Sequence, residues 1–242
     1  MTDDMKRRGF ITSAGLFAGA AMLAGTAERS AAAQAPAAAP LKPMVYETKP
    51  LTLNPRRVRG LSEKIVTSHY ENNYVGAVKR LNAITAELAG LDLATAPSFV
   101  LNGLKREELI ALNSMILHEL YFDGLGGNGD RPIGDLAHAI ARDFGSLERW
   151  RTEFAAMGKA EGGGSGWVIL TFSPHNKRLV NQWAADHTMT LAGGRPILAL
   201  DMYEHAYQMD YGAKAAAYVD AFMEGIRWEN ATRLYERYGR ES

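Results

Sequence analysis

The chain has 242 residues, its 27 Lys and Arg side chains are balanced by 27 Asp and Glu, and 47% of its residues are hydrophobic. Neutral overall charge argues against a nucleic-acid partner, and the hydrophobic share is too high for a disordered chain. The sequence contains no cysteine. Thiol catalysis, disulfides and thiolate metal sites are therefore excluded, and a bound metal must be held by His, Asp or Glu.

Residues 1–33 have the three-part pattern of a secretory signal peptide, with Lys6-Arg7-Arg8 before a mild apolar stretch and small residues up to Ala33. The run from Arg7 to Ile11 resembles the twin-arginine export motif of bacteria; an ordinary secretory signal or an uncleaved anchor is the alternative. The apolar stretch is too short and too rich in small residues to span a bilayer stably. We therefore expect a periplasmic protein, exported folded with its cofactor, and no membrane span after cleavage.

Residues 34–60 are predicted to form an N-terminal lead, which begins with an Ala- and Pro-rich stretch. Hydrophobic residues at helical spacing then predict one long helix from Leu61 to Gly90 and a second over Lys105–Phe122. Two long helices joined by a loop form an antiparallel hairpin. We therefore predict a helical hairpin domain at residues 61–128.

Residues 129–242 are predicted to form an α/β domain, because the hydrophobic period changes along this part of the chain. Two short helices precede a β-hairpin and a third strand, and helical sequence returns from Ala213 to Tyr238. The predicted fold class is α+β: a helical hairpin, then a mixed domain with a three-stranded antiparallel sheet and flanking helices. The first predicted elements of this domain are helices Ile133–Phe144 and Leu147–Lys159 and strands Trp167–Phe172, Arg178–Trp183 and Pro196–Met202.

With thiolates absent, the six histidines carry most of the chemical information. His69 and His118 fall on the two predicted hairpin helices, and both point inward at one level if these helices pair antiparallel. Asp201 and His205 converge on one ion if the chain turns helically after the third strand. The spacing suggests a mononuclear site of three histidines and one aspartate, with a structural role for each histidine as the alternative. The two histidines predicted to be solvent-exposed are His138 and His175.

Five blocks of the sequence resemble the iron/manganese superoxide dismutases. They occur in the family's order over almost the whole predicted mature chain, from about Lys49 to Tyr238, and the D-x-x-E-H-A-Y block after GSGW is the most specific. The blocks are His69-Tyr70-Glu71 with Leu81-Asn82 downstream, His118-Glu119-Leu120-Tyr121, Phe144-Gly145-Ser146, Gly164-Ser165-Gly166-Trp167 and Asp201-Met202-Tyr203-Glu204-His205-Ala206-Tyr207.

The resemblance implies an enzyme that converts superoxide to oxygen and hydrogen peroxide. It implies that one Fe or Mn ion per subunit alternates between oxidation states, with a solvent molecule as its fifth ligand. The protein ligands that it implies are His69, His118, Asp201 and His205.

The resemblance also implies a two-fold homodimer. In such a dimer Glu204 reaches across the interface to the partner's ligand equivalent to His205, and Tyr207 belongs to the same bridge. An ordinary surface carboxylate is the alternative for Glu204.

The surroundings of the four ligands depart from the family's usual pattern. Asn73 stands in place of a histidine near the solvent channel, Ala77 in place of the gateway tyrosine, and Ser114 in place of a glutamine that many iron-type members use. Ala215 replaces the funnel arginine, with Lys214 beside it. This altered gate predicts a wider, less cationic funnel and a slower turnover, with superoxide drawn mainly by the metal and by Lys214.

Two aromatic positions and one loop residue also differ. Tyr203 replaces a usual tryptophan as a wall of the pocket, and Phe122 replaces another. His187 aligns with the glutamine of manganese-type members, so its N–H could donate to the metal-bound solvent. A shift of one residue would place Asp186 there instead, and an exposed loop histidine is the remaining alternative.

Two rival functions stay open at this point. A member that kept the fold and the ligands but lost the gate would bind metal with weak or no dismutase activity. An Fe(II) site with His and carboxylate ligands could instead activate oxygen on an organic molecule, although no substrate-binding motif supports this. The sequence does not decide between iron and manganese; Ser114 and His187 favour the manganese-type or cambialistic geometry.

Overall fold

The computed structural model describes residues 41–241, so the predicted signal peptide at residues 1–33 lies outside the described residues. The described part of the lead has no regular structure until a 3-10 turn at Pro55–Arg57. It is nevertheless attached to the hairpin: the Asn82 side chain accepts from Tyr46 N at 2.8 Å and donates to Tyr46 O at 2.9 Å. Lys49 N donates to the Tyr74 hydroxyl at 2.8 Å.

The first arm of the hairpin consists of three segments instead of the one predicted helix. Helix α1 (Glu63–Ser68) starts at Ser62, whose hydroxyl accepts from Ile65 N. A π-helical segment (His69–Tyr74) follows, and helix α2 (Val75–Gly90) completes the arm. A π turn changes which residues share a helix face without changing which residues are apolar, so the hydrophobic period did not reveal it.

The second arm is helix α3 (Ser98–Asp123), which packs antiparallel to α2. It begins seven residues before the predicted start at Lys105, immediately after Pro97. The residues of this added length are exposed or half-buried. They include Asn102 and Gly103, which have low helix propensity, so the sequence signal for a helix starts later.

The second half of the chain begins with helices α4 (Gly134–Phe144) and α5 (Leu147–Ala160), close to the predicted bounds. The predicted cap is present, since the Ser146 hydroxyl accepts from Arg149 N at 3.0 Å. Gly145 supplies the left-handed conformation between these helices, with φ +89°.

Three strands form the predicted antiparallel sheet: β1 (Trp167–Ser173), β2 (Arg178–Ala184) and β3 (Arg195–Asp201), in the order β2-β1-β3. Strand β1 is central and fully buried, as expected for a strand covered on both faces. Trp167 pairs with Asp201, so the start of β1 and the end of β3 meet at one edge.

The continuous helical run predicted over 213–238 is divided into two helices. A 3-10 turn (Glu204–Ala206), helix α6 (Gln208–Tyr211), helix α7 (Ala215–Glu224) and helix α8 (Glu229–Arg240) follow β3. Gly225 ends α7, and the chain then turns so that Arg227 N donates to Gly124 O at the end of the hairpin. This tertiary contact explains the break.

One hydrophobic core joins the hairpin to the sheet. Leu81 and Leu117 of the hairpin belong to the same buried cluster as Leu170 and Leu198 of the sheet. Residues 41–241 belong to one compact unit, and the predicted boundary at residue 128 remains a prediction from sequence. Within residues 41–241, no helix combines the length and the apolar character that crossing a bilayer requires.

Candidate metal centre

Four side chains from four different elements meet between the hairpin and the sheet edge. His69 is the first residue of the π-helical segment, His118 lies on α3, Asp201 ends β3, and His205 lies in the 3-10 turn after it. One ligand atom from each lies within 4.8 Å of the others. The structure thus brings together all four residues that the resemblance implied.

The Asp201 carboxylate is at the centre of this cluster. Its Oδ2 atom lies 3.1 Å from His69 Nε2, 3.2 Å from His205 Nε2 and 3.5 Å from His118 Nε2. Asp201, His69 and His118 are buried, whereas the His205 side chain keeps 27% of its surface exposed. Three imidazoles and one carboxylate therefore face a single point that is accessible on the side of His205.

His118 shows that the cluster fits a metal ion. Its Nδ1 atom lies 2.6 Å from the Ser114 carbonyl oxygen and donates to it, so Nε2 of the neutral ring carries the lone pair. That Nε2 atom is buried and has no hydrogen-bond partner among residues 41–241. Buried acceptors are nearly always satisfied, and a bound cation would satisfy this one. Imidazoles with one carboxylate are a suitable ligand set for Fe or Mn.

Burial and charge set the protonation states that metal binding requires. Burial lowers the pKa of His69 and lowers the pKa of His118 to about 3, so both rings are neutral at pH 7. Burial alone would raise the pKa of Asp201, but the nearby His205 and the hydrogen bonds from His205 and His69 hold it below its usual range. Neutral imidazoles and an ionised carboxylate are the forms that bind metals.

Further hydrogen bonds hold Asp201 in place. Tyr203 N donates to its Oδ1 at 2.8 Å, and the Tyr218 hydroxyl donates to its backbone oxygen at 2.8 Å. The Tyr218 hydroxyl lies 3.2 Å from that of Tyr121, whose ring is 5.0 Å from His69. Neither tyrosine was predicted to support the site, although Tyr121 ends one of the family's blocks. Both lie at apolar positions of their helices, which favoured a place in the core.

A cavity of about 340 Å³, here called the opening, leads from the surface to His118 and His205. The predicted altered gate lines it, since Asn73, Ala77 and Ser114 are all in its wall. Lys214 and Ala215 are not among its lining residues. The residues that line the opening are Asn72, Asn73, Gly76, Ala77, Arg80, Ile110, Ala111, Ser114, His118, His187 and His205.

His187 also lines the opening, and it is half-buried, so the exposed-loop alternative is wrong. Trp167 Nε1 donates to His187 Nδ1 at 2.8 Å, which leaves the proton of the neutral ring on Nε2. Burial lowers the pKa of His187 and keeps the ring neutral. Asp186, the alternative at this place, does not line the opening, and its Oδ1 accepts from Thr188 N and Oγ1.

Aromatic rings surround the histidines. Tyr203 stacks on His205 with ring centroids 5.3 Å apart and lies 4.8 Å from the His187 ring. It is not among the residues that line the opening, so its role as a wall of the pocket stays a prediction. Phe122 is buried 5.1 Å from the His69 ring. Tyr74 does not line the opening. Its side chain points to the other side of the helix, where the hydroxyl donates a hydrogen bond to Glu119 Oε1 at 3.0 Å.

The two residues of the predicted dimer bridge differ in their surroundings. Glu204 is exposed beside His205, where it is accessible to a partner. Tyr207 is buried, and its hydroxyl accepts from Gly163 N of the same chain at 3.2 Å. This position gives no support to a bridging role for Tyr207, which stays a prediction. His138 is exposed, as predicted, and so is His175.

The fold and the cluster define a mononuclear metalloprotein, in which a helical hairpin and a small antiparallel sheet enclose a buried site of three histidines and one aspartate. The model of the iron/manganese superoxide dismutases, C-terminal domain, matches residues 132–234. The chain is 72% identical over 192 residues to a superoxide dismutase [Fe] of Cupriavidus metallidurans, covering 79% of this chain and 97% of that protein. The chain belongs to the iron/manganese superoxide dismutase family.

More distant relatives carry both metals in their names. A superoxide dismutase [Mn] 1 of Halobacterium salinarum is 36% identical over 179 residues, which cover 73% of this chain and 88% of that protein. A superoxide dismutase [Fe] of Aquifex pyrophilus is 34% identical over 193 residues, which cover 76% and 89%.

Proposed function

We propose that the chain is a superoxide dismutase, which converts superoxide to oxygen and hydrogen peroxide at a single Fe or Mn ion. The observation that carries this proposal is the buried, unpartnered His118 Nε2 atom, which faces the other three donors in a chain of this family. His69, His118, Asp201 and His205 would hold the ion. When bound, the ion supplies the one-electron oxidation and reduction that dismutation requires.

The side chains of the site favour a small anion. Three neutral imidazoles contribute no charge and Asp201 contributes one negative charge, so the loaded site stays positive with a divalent or trivalent ion. His187 Nε2–H is available to donate a hydrogen bond to an oxygen atom in the opening, because Trp167 occupies Nδ1. Trp167 therefore acts as the residue that orients His187.

We also propose one ion per chain, since residues 41–241 contain one such cluster of donors. The relative that shares 72% identity is named for iron, which favours iron here. Relatives named for manganese share about half of that identity, so manganese is the second candidate.

Export through the twin-arginine route to the periplasm is proposed from the pattern of residues 1–33. Replacing both Arg7 and Arg8 by Lys in the full chain is expected to leave the protein in the cytoplasmic fraction of its bacterial cell. An unchanged periplasmic share would contradict this route.

The decisive experiment loads the metal-free protein separately with Fe and with Mn, then measures metal content and superoxide consumption on the same samples. We expect about one ion per chain and catalysis of superoxide loss by at least one of the two forms. Stoichiometric metal without catalysis would indicate a metal-binding member without activity and would overturn the proposed function. Protein that takes up neither ion would overturn the site itself.

A further inference from the structure

The opening contains a cation that the sequence analysis did not identify. Arg80 lines the opening together with the ligands His118 and His205. Among the lining residues within 41–241 it is the side chain with a permanent charge. Lys214, which was predicted from sequence to attract superoxide, is not among the residues that line the opening.

The position of Arg80 follows from helix geometry. Arg80 lies on α2 three residues after Ala77 and four after Gly76, so all three share one helix face. Ala77 and Gly76 have almost no side chain, and this face is therefore open between Arg80 and the ligands.

The acidic residues near Arg80 only partly offset its charge. Glu107 of α3 forms an ion pair with Arg80, and the same carboxylate accepts from Arg106 at 3.2 Å. One carboxylate is therefore shared by two guanidinium groups. The Arg80 side chain is 56% exposed, so its charge also acts on ions that approach through solvent. Asp186, the acid of the neighbouring loop, is hydrogen-bonded to Thr188.

We propose that Arg80 is a steering residue, which speeds the entry of superoxide into the opening, and that Glu107 limits this effect by pairing with it. The proposal rests on the proposed function, because the substrate is the superoxide anion. A charge at the rim of a cleft raises the association rate of an oppositely charged substrate, and salt weakens the effect.

The test compares kcat/KM of four metal-loaded variants at ionic strengths from about 10 mM to about 500 mM. Arg80→Gln is expected to lower kcat/KM about two- to fivefold at low ionic strength, with the difference disappearing at high salt. Arg80→Lys keeps the charge and should restore most of the rate. Glu107→Gln should raise the rate at low salt.

Lys79→Gln is the matched control. Lys79 is exposed on the same helix and does not line the opening, so the same loss of charge should leave kcat/KM and its salt dependence almost unchanged. Equal rates for Arg80→Gln and Lys79→Gln at every ionic strength would overturn the steering proposal while leaving the dismutase activity in place.

A second measurement does not depend on turnover. Azide, a small monoanion, is titrated into the iron-loaded protein and its binding followed by the absorption spectrum. Arg80→Gln should weaken azide binding about two- to fivefold at low salt with unchanged iron content, and Lys79→Gln should not. If the wild-type protein binds metal but lacks dismutase activity, the proposed function fails. The azide titration then still decides whether Arg80 attracts anions, and unchanged azide affinity would overturn that role.

Discussion

Single hydrogen bonds decide which atoms of the site face the opening. Ser114, part of the altered gate, holds His118 through its backbone carbonyl, so its small side chain leaves the orientation of this ligand intact. Trp167 does the same for His187 by donating to Nδ1. At the scale of the residue, therefore, the altered gate residues change the wall of the opening. They leave in place the hydrogen bonds that orient His118 and His187.

Replacing His118 by Ala removes one of the four donors and leaves Asp201 with one neighbouring imidazole fewer. Metal content of the purified protein, measured by elemental analysis after loading, is expected to fall more than about tenfold. His138→Ala is the control, because His138 is exposed on α4 and should leave metal content unchanged. Equal metal contents of the two variants would contradict the site assignment.

Glu161 gives the protein a pH-dependent stability. Both carboxylate oxygens are buried without a hydrogen-bond partner within residues 41–241, and burial raises the pKa of Glu161 to about 8. The folded chain therefore holds this proton more tightly than the unfolded chain, whose pKa is near 4.5. Its contribution to stability is greatest below pH 4.5 and is lost as the pH rises through 8.

Glu161→Gln should raise the melting temperature at pH 8 and change it little at pH 4.5, measured by thermal unfolding of the metal-loaded protein. Glu87→Gln, an exposed change on α2, serves as the control. A melting temperature that Glu161→Gln leaves unchanged at both pH values would mean that the carboxylate is satisfied in the protein in solution.

At the scale of the element, side chains that pack directly against a glycine backbone decide how closely a helix lies to its neighbours. Gly158 of α5 faces β3 and α7: a Cβ atom there would lie 2.8 Å from Leu200 Cδ2 and 3.2 Å from Val219 Cγ2. The glycine thus permits α5 to pack against the strand that ends at Asp201. Gly103 of α3, by contrast, faces open space.

These two helical glycines should respond to alanine with opposite signs. Gly158→Ala is expected to lower the free energy of unfolding by about 1–3 kcal/mol through overpacking. Gly103→Ala should raise it by up to about 1 kcal/mol, because alanine favours the helix and meets no neighbour. Denaturant unfolding of both variants measures the difference, and a stabilised Gly158→Ala protein would show that the packing at this position is looser than described.

At the scale of the whole molecule, one core and one site combine parts that are far apart in sequence. His69 and Asp201 are 132 residues apart, and the core residues of the hairpin and the sheet belong to one cluster. The ligand on the accessible side of this site is His205, and Glu204 is exposed beside it. A partner chain that covered this side would change both the stability of the assembly and the access to the site.

Glu204→Ala tests the dimer that the resemblance implies. If Glu204 bridges to the partner's ligand, the variant should dissociate to monomers at least about tenfold more readily than the wild-type protein in sedimentation experiments over a range of concentrations. Glu87→Ala on α2 is the control for loss of an exposed carboxylate. A wild-type protein that stays monomeric at all concentrations would contradict the dimer.

Local sequence determined the secondary-structure elements and the chemical identity of the ligands. Apolar periodicity, turn residues and the cap at Ser146 predicted most helices and all three strands, because these signals act over a few residues. The family's motifs then identified His69, His118, Asp201 and His205, since the spacing of those motifs reflects the metal site.

Only the tertiary structure decided the rest. The π turn at His69, the buried position of Tyr207 and the placement of Arg80 in the opening depend on which helix faces meet. Those contacts join residues far apart in sequence, so they cannot be predicted from the hydrophobic period or from the net charge. The chain as a whole has 27 basic and 27 acidic side chains, but its charges are not balanced at the opening. The cation Arg80 lies in the wall of the opening, and its partner Glu107 also pairs with Arg106.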